Sequence, residues 1–336
     1  MTEEIVTYFG KDLTLDERQY SYDFIENYIE EKVSDWSIPP NTEEIASNFS
    51  SILEKFSEPD FNFLLCHAGY IPEFYDHDSS QETLYSKLIE VLVCEWSKRV
   101  GFIDSCIQRQ KSSKEDITIQ VGAILIVCDA KSFRLGRSQS APNVKDTIKK
   151  GDYQKWQDNW NNIDPHSKHG VLKPIGGLVT FPSLHRWKGE SDAYLYCTDK
   201  ERPIIMLFYE HLAYFTIKNI KHTKIIECME NYSEIFPSAS KNQHSYFDKI
   251  LNNLFEDHFE HYTEYMKLFV EIIKEKVNHT TNRITKKILE TEKMIRLEID
   301  AIDEKKLREH LIDSRLHNVS GQIIKQLANI KKFRPH

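Results

Sequence analysis

The residues best placed to do chemistry lie between Glu115 and Lys131, in the run Glu-Asp-Ile-Thr-Ile-Gln-Val-Gly-Ala-Ile-Leu-Ile-Val-Cys-Asp-Ala-Lys. Asp116 opens one short β-branched segment, and Asp129 closes a second after the apolar run Ala123 to Val127. Gly122 separates the two segments. If they form an antiparallel pair with a tight turn at Gly122, the start of one strand lies beside the end of the other, and Asp116 and Asp129 become neighbours. Side chains alternate along a strand, so Asp129 and Lys131 share a face. Two adjacent carboxylates repel unless a proton or cation lies between them. Mg²⁺ suits such a pair because it takes oxygen ligands and keeps several waters. A lysine two residues on can hold or deprotonate one of those waters, or stabilise charge on a phosphate. The arrangement fits attack of water on a phosphodiester. Acid-x-Lys also occurs at Glu30-Glu31-Lys32 and Asp303-Glu304-Lys305, but those lie in helical stretches with no apolar strand before them.

Other residues extend this centre. Glu82 stands at the start of a helix opened by Ser79 and Ser80, from which a third carboxylate can reach the same metal. Glu90 lies two turns further along and is the weaker alternative. Downstream come Arg134, Arg137, Asn143, Lys145 and Lys149, of types that hold phosphates or read bases.

The elements that must position these residues follow from periodicity. Residues 14–57 read as helices broken at Pro39-Pro40, with Leu15, Tyr20, Phe24 and Tyr28, then Ile45, Phe49, Leu53 and Phe56, at helical spacing. A turn spans Gly69 to Asp78, and the helix that follows runs to about Trp96. Short Ile, Val and Thr-rich runs at 102–108, 116–121, 123–128, 175–181 and 204–208 read as strands, with a helix from Leu212. Residues 243–318 hold no glycine and no proline and predict two or three long helices. The chain is thus expected to be mixed α/β. Three segments are expected: 1–78 helical, 79–220 the catalytic core, and 221–336 helical, for dimerisation or DNA clamping.

Charge and composition narrow the function classes. The 336 residues carry a net charge of −8, unevenly spread. Residues 1–60 hold four basic against 15 acidic side chains, whereas 109–188 hold 14 against seven. A local basic stretch matters more for phosphate binding than the global sum. Six cysteines form no C-x-x-C pair, which fits reduced thiols in a cytoplasmic protein. No run of 18 apolar residues occurs, so no membrane helix is expected, and the acidic first ten residues do not read as a secretory signal. G-x-G-x-x-G and G-x-S-x-G are both absent, which argues against dinucleotide-binding and serine-hydrolase classes.

The string Asp129-Ala-Lys-Ser-Phe-Arg-Leu135 followed by Gly136-Arg137 resembles the HindIII-like type II restriction endonucleases. Ile71-Pro72-Glu73 with Ser79 to Lys87, and Ile204 to Phe215 with Glu210-His211-Leu212-Ala213, are similar to flanking segments of the same family. The resemblance covers about residues 65–220. It implies the PD-(D/E)XK nuclease core, a central mixed sheet flanked by helices, acting as a homodimer on double-stranded DNA. It further implies Mg²⁺ bound by Asp116 and Asp129 with help from the Ala130 carbonyl, Lys131 activating or positioning water, and Glu82 extending the acidic cluster. The expected products carry a 5′-phosphate and a 3′-hydroxyl, and a cognate DNA methyltransferase is expected in the same cell. The sequence departs from the family in having Glu115 rather than proline before Asp116, so Glu115 stands as an alternative ligand. The other readings are a non-catalytic DNA-binding protein on the same fold, or an interaction protein built on the C-terminal helices.

Overall fold

The computed structural model describes residues 5–108, 115–135, 150–161, 172–182, 203–235, 245–300 and 305–332. The chain opens with a small hairpin, β1 (Val6–Tyr8) and β2 (Lys11–Leu13). Helix α1 (Leu15–Lys32) follows, started by a capping box in which Thr14 and Glu17 satisfy each other's backbone donors. Pro39-Pro40 interrupts the helical run, and Asn41 caps α2 (Thr42–Leu53). Ser57 caps α3 (Glu58–His67), with Pro59 in its first turn, where a missing N–H costs nothing.

After the two-residue strand β3 (Tyr70–Ile71), Ser79 accepts from the Glu82 amide and starts α4 (Ser80–Arg99). The main sheet then forms from β4 (Cys106–Ile107), β5 (Ile117–Val121) and β6 (Ile124–Ala130). Next come β7 (Phe133–Arg134), which pairs with β3, and helix α5 (Lys150–Asn161). Strands β8 (Lys173–Phe181) and β9 (Ile204–Phe208) complete the sheet in the order β4-β5-β6-β8-β9. Neighbours are antiparallel from β4 to β6 and parallel from β6 to β9, so the sheet is mixed. Helices α6 (Tyr209–Ile217), α7 (His222–Glu230), α8 (Tyr232–Ile235) and α9 (Ser245–Phe255) follow, and then the long pair α10 (Phe259–Asp300) and α11 (Lys305–Lys332).

The β5–β6 hairpin has the expected register, with Val121 opposite Ile124 and Ile117 opposite Cys128. Gly122 has φ +55°, the one positive φ in the two-residue turn, as a type II′ turn requires at its first central position. Strand β6 is buried from Leu125 to Ala130, so its apolar run reads as continuous rather than alternating. Pro174 cannot donate to the ladder, and the β6–β8 register shifts by one residue beside it. On β8, the Tyr153 ring of α5 fills the space a side chain would take at Gly177, and Met229 of α7 fills that at Gly176. Successive strand residues point to opposite faces, so α5 and α7 cover opposite sides of the sheet. Helix α4 packs along β4, β5 and β6, while α1 and α2 pack behind it. One hydrophobic core runs from Tyr8 to Ile272 and contains Phe49, Phe63, Trp96, Ile126, Leu207 and Phe215. Some elements differ from the sequence expectation: β4 keeps two residues of a longer predicted strand, and α5 and the β3–β7 pair were not foreseen.

Helix α10 is tied to α1 by charge as well as by apolar packing. Arg283 donates to Asp23 at 2.7 Å and to both oxygens of Glu26 at 2.6 and 2.9 Å, and its Nε lies 3.4 Å from Glu73. Lys276 donates to the Tyr22 carbonyl at 2.6 Å, and His279 meets Asp23 at 2.8 Å. Burial pushes the Lys276 ammonium and the His67 imidazole below their ordinary values. No helix among the described residues is long and apolar enough to cross a membrane.

Candidate active site

The site forms where β5 begins and β6 ends. Asp116 immediately precedes β5 and Asp129 is the next-to-last residue of β6, so the hairpin register sets them opposite each other. The backbone continues this pairing, with the Asp116 amide donating to the Cys128 carbonyl at 3.1 Å. The Ala130 amide donates to Asp116 Oδ2 at 3.2 Å, which fixes the Asp116 carboxylate against the end of β6. Lys131 Nζ reaches Asp129 Oδ1 at 2.5 Å. Beyond the strand, the Lys131 amide donates to the Thr180 carbonyl at 2.8 Å, and the Tyr209 hydroxyl donates to the Lys131 carbonyl at 2.8 Å. The lysine is thus held through its backbone by β8 and by the first residue of α6.

The electrostatics match two carboxylates and one cation at a sheet end. Burial pushes the Asp129 carboxyl well above its ordinary range; Lys131 opposes that shift and Asp116 reinforces it. Burial works against the Lys131 charge, but Asp129, Asp116 and Glu90 outweigh it, so the ammonium is held above its usual value. Asp129 is buried, while the Lys131 side chain keeps 31% of its surface exposed. A buried carboxylate held beside a half-buried one and a partly open lysine is costly to the fold and suits a cation-dependent site.

The remaining expected residues are distributed differently. Glu115 does not share the Asp116 position. It is buried, and its Oε1 accepts from Thr118 Oγ1 at 2.7 Å, Trp160 Nε1 at 2.6 Å and Gln108 Nε2 at 3.4 Å. Glu82 accepts from Arg134 Nη2 at 2.9 Å and from the Asp78 amide at 3.0 Å, and no described contact joins it to Asp116 or Asp129. Arg134 also departs from expectation. Its guanidinium donates to the Tyr75 carbonyl at 2.7 Å, the Asp76 carbonyl at 3.0 Å and the Pro72 carbonyl at 3.4 Å. It clamps the 72–78 turn onto the start of α4, which removes those donors from the pool available to phosphate. Arg137, Asn143, Lys145 and Lys149 lie outside the described residues.

Glu90 is buried on α4, two turns beyond Glu82. It acts electrostatically on Lys131 and on Cys128, and it pairs with Lys87 at 2.5 Å. Lys87 also donates to the Gln108 carbonyl at 3.0 Å. Eight residues separate Glu82 from Glu90, about 12 Å of helix, so the two carboxylates stand at different levels along α4. The sequence carried a signal for the burial of Glu90. Glu90 interrupts the apolar run Leu88-Ile89-Glu90-Val91-Leu92, and a charge inside a buried helix face calls for a partner.

Among the described residues no group of three or more His, Cys, Asp or Glu side chains is arranged to enclose a metal. The oxygen donors brought together are the Asp116 and Asp129 carboxylates. Such a set fits a hard cation that keeps most of its water, rather than a closed zinc site.

A mixed sheet flanked by helices, with a carboxylate pair and a lysine at adjoining strand ends, is the architecture of a restriction endonuclease. The family model of the HindIII restriction endonuclease matches residues 32–322, most of the chain. The chain belongs to the HindIII restriction endonuclease family, and its class of activity is therefore that of a nuclease. No curated protein matches it.

Proposed function

We propose that the protein is a type II restriction endonuclease that hydrolyses both strands of duplex DNA at a short palindromic site. The observation that carries this reading is the convergence of Asp116, Asp129 and Lys131 at the ends of β5 and β6. Asp116, Asp129 and the Ala130 carbonyl would hold Mg²⁺, with Glu90 rather than Glu82 as the helix acid nearest them. A bound Mg²⁺ supplies charge stabilisation at the scissile phosphate and acidifies water.

The chain's own groups do the rest. Asp116 and Asp129 concentrate negative charge at one point, so that a cation and the phosphate it accompanies are drawn to the same place. Lys131, held protonated by its carboxylate neighbours, directs its ammonium at the attacking water or at a phosphoryl oxygen. Water attacks phosphorus in line, the bond to the 3′-oxygen breaks, and the products are a 5′-phosphate and a 3′-hydroxyl. A palindromic site has two-fold symmetry, so a homodimer would set one such centre on each strand. A cell holding this activity would carry a cognate methyltransferase to protect its own sites, and the cytoplasm is the compartment in which both meet DNA.

The test is a digest of plasmid and phage DNA by the purified protein, with Mg²⁺ and with EDTA. Discrete Mg²⁺-dependent bands with 5′-phosphate ends are expected. DNA retained in a gel shift but never cut would point instead to a binding protein on this fold.

A further inference from the structure

We propose that Tyr209 is a positioning residue of the nuclease centre: its hydroxyl fixes the Lys131–Ser132 peptide and so sets where the Lys131 ammonium lies. The proposal rests on the nuclease reading above and adds a residue to it.

A flexible four-carbon stem separates the Lys131 backbone from its Nζ. A small rotation of that backbone therefore carries Nζ away from its place 2.5 Å from Asp129 Oδ1. The chain on either side is anchored. The Lys131 amide donates to the Thr180 carbonyl on β8 at 2.8 Å, and the Phe133 amide donates to the Gly69 carbonyl at 2.8 Å. Phe133 then pairs with Tyr70 in the β3–β7 ladder. The Lys131–Ser132 peptide lies between those two anchors, and the Tyr209 hydroxyl donates to its carbonyl at 2.8 Å. The turn that leaves the active site is thus tied to β8, to α6 and to the residue before β3.

Tyr209 is itself held on several sides. It is the first residue of α6 and follows β9 directly. Strand β9 pairs with β8 as far as Phe208 opposite Phe181, so Tyr209 leaves the same strand pair that carries Thr180. The Phe208 amide donates to His211 Nδ1 at 3.2 Å, which fixes the first turn of α6. Tyr209 is fully buried and its ring packs on Gly69. A Cβ at Gly69 would stand 2.4 Å from the ring's Cε2, and Gly69 has φ +81°, so both space and backbone call for glycine there. One side chain therefore packs on the residue that anchors Phe133 and bonds the carbonyl of Lys131. Burial pushes the phenol well above its ordinary value, so the donor proton is retained and the role is geometric.

The test is a double-mutant cycle read in single-turnover DNA cleavage at saturating Mg²⁺. Tyr209→Phe keeps the ring against Gly69 and removes only the oxygen. A misplacement of about 1 Å at a reacting centre costs on the order of 10²-fold, so the rate should fall about 10–100-fold. DNA affinity in a Ca²⁺ gel shift should stay within about threefold of wild type, because a buried neutral phenol adds nothing to phosphate attraction. In a Lys131→Met background the same substitution should cost less than about threefold, since the ammonium it positions is gone. A tyrosine that served only the fold would lower the rate by the same factor in both backgrounds. Gly69→Ala drives a methyl into the ring and is a second route to the same displacement; its loss of rate should likewise shrink in the Lys131→Met background. A Tyr209→Phe enzyme that cleaves within about threefold of wild type, or equal losses with and without Lys131, overturn the positioning role while leaving the nuclease reading in place. Wild-type protein that never cleaves DNA in Mg²⁺ overturns both.

Discussion

Replacing Lys131 by methionine tests the site most directly, because the cation has two separable effects. Its Nζ lies 2.5 Å from Asp129 Oδ1. At an effective dielectric near 20, a contact of that length is worth about 6–7 kcal/mol in gross Coulomb terms. Most of it offsets the burial of Asp129, and the lysine side chain is 31% exposed, so water screens part of the remainder. The net loss of stability should therefore be modest, about 1–2 kcal/mol. With 336 residues and an unfolding entropy of about 2.1 cal/mol/K per residue, about 0.7 kcal/mol corresponds to one degree. The midpoint of thermal unfolding should fall by about 1.5–3 °C. Catalysis should suffer far more, since removing a preorganised charge at the reacting centre costs about 10²–10³ in rate. Single-turnover cleavage of supercoiled plasmid at saturating Mg²⁺ reads that loss, and a gel shift in Ca²⁺ should find DNA affinity within about threefold of wild type, because one lysine beside two carboxylates supplies little of the non-specific attraction. Lys131→Arg keeps the charge in a planar fork and should recover only part of the rate. A Lys131→Met enzyme that cleaves within about tenfold of wild type would refute the assignment of Lys131 to transition-state charge.

Three further predictions follow from the same geometry. Glu90→Gln should lower Mg²⁺-dependent cleavage by about 10–100-fold, whereas Glu82→Gln should cost about 1 kcal/mol of stability through its bond to Arg134 and leave cleavage nearly intact; the reverse ranking in parallel digests and thermal melts would return the helix acid to Glu82. Arg283→Met strands Asp23, Glu26 and Glu73 against one another. It should destabilise the fold by about 3–5 kcal/mol, or about 4–7 °C in a thermal melt, and a shift under about 1 °C would mean that α10 is held by its apolar stripe alone. The third concerns acid. Burial pushes the His211 imidazole down to about 3, and its Nδ1 accepts from the Phe208 amide while Nε2 meets the Tyr262 hydroxyl at 3.0 Å. The unfolded chain takes up this proton near pH 6.5 and the folded chain does not, so the contribution is complete above about 6.5 and is lost as pH falls toward 3. Urea unfolding between pH 4 and 6 should show wild-type stability falling more steeply than that of His211→Asn, by about 1.4 kcal/mol per pH unit, and parallel slopes would contradict it.

Much of the local structure needed only the sequence. The Asp116 to Asp129 hairpin was legible because one glycine separates two β-branched runs of matching length, and a two-residue turn leaves a single register that pairs their ends. The start of α4 was equally local, since Ser79 caps the helix within its own first turn. The Pro39-Pro40 break and the long C-terminal helices needed no partner to be read. What the sequence left open was which charges meet across elements. Glu82 and Glu90 lie on one helix, and only the closed fold gives them different surroundings, Arg134 arriving to hold Glu82 while Glu90 is buried beside Lys87. Glu115 and Asp116 are adjacent and chemically alike, and which of them is taken up by Trp160 and Gln108 from other elements was settled only by the fold. Arg134 follows the acidic strand end like a phosphate binder, yet β3 pairs beside it and brings carbonyls within its reach. Capping, turns and periodicity act over a few residues, and a single sequence records them. A carboxylate's partners are set by contacts between residues up to hundreds of positions apart, and those distances exist only once the sheet and helices have closed around them.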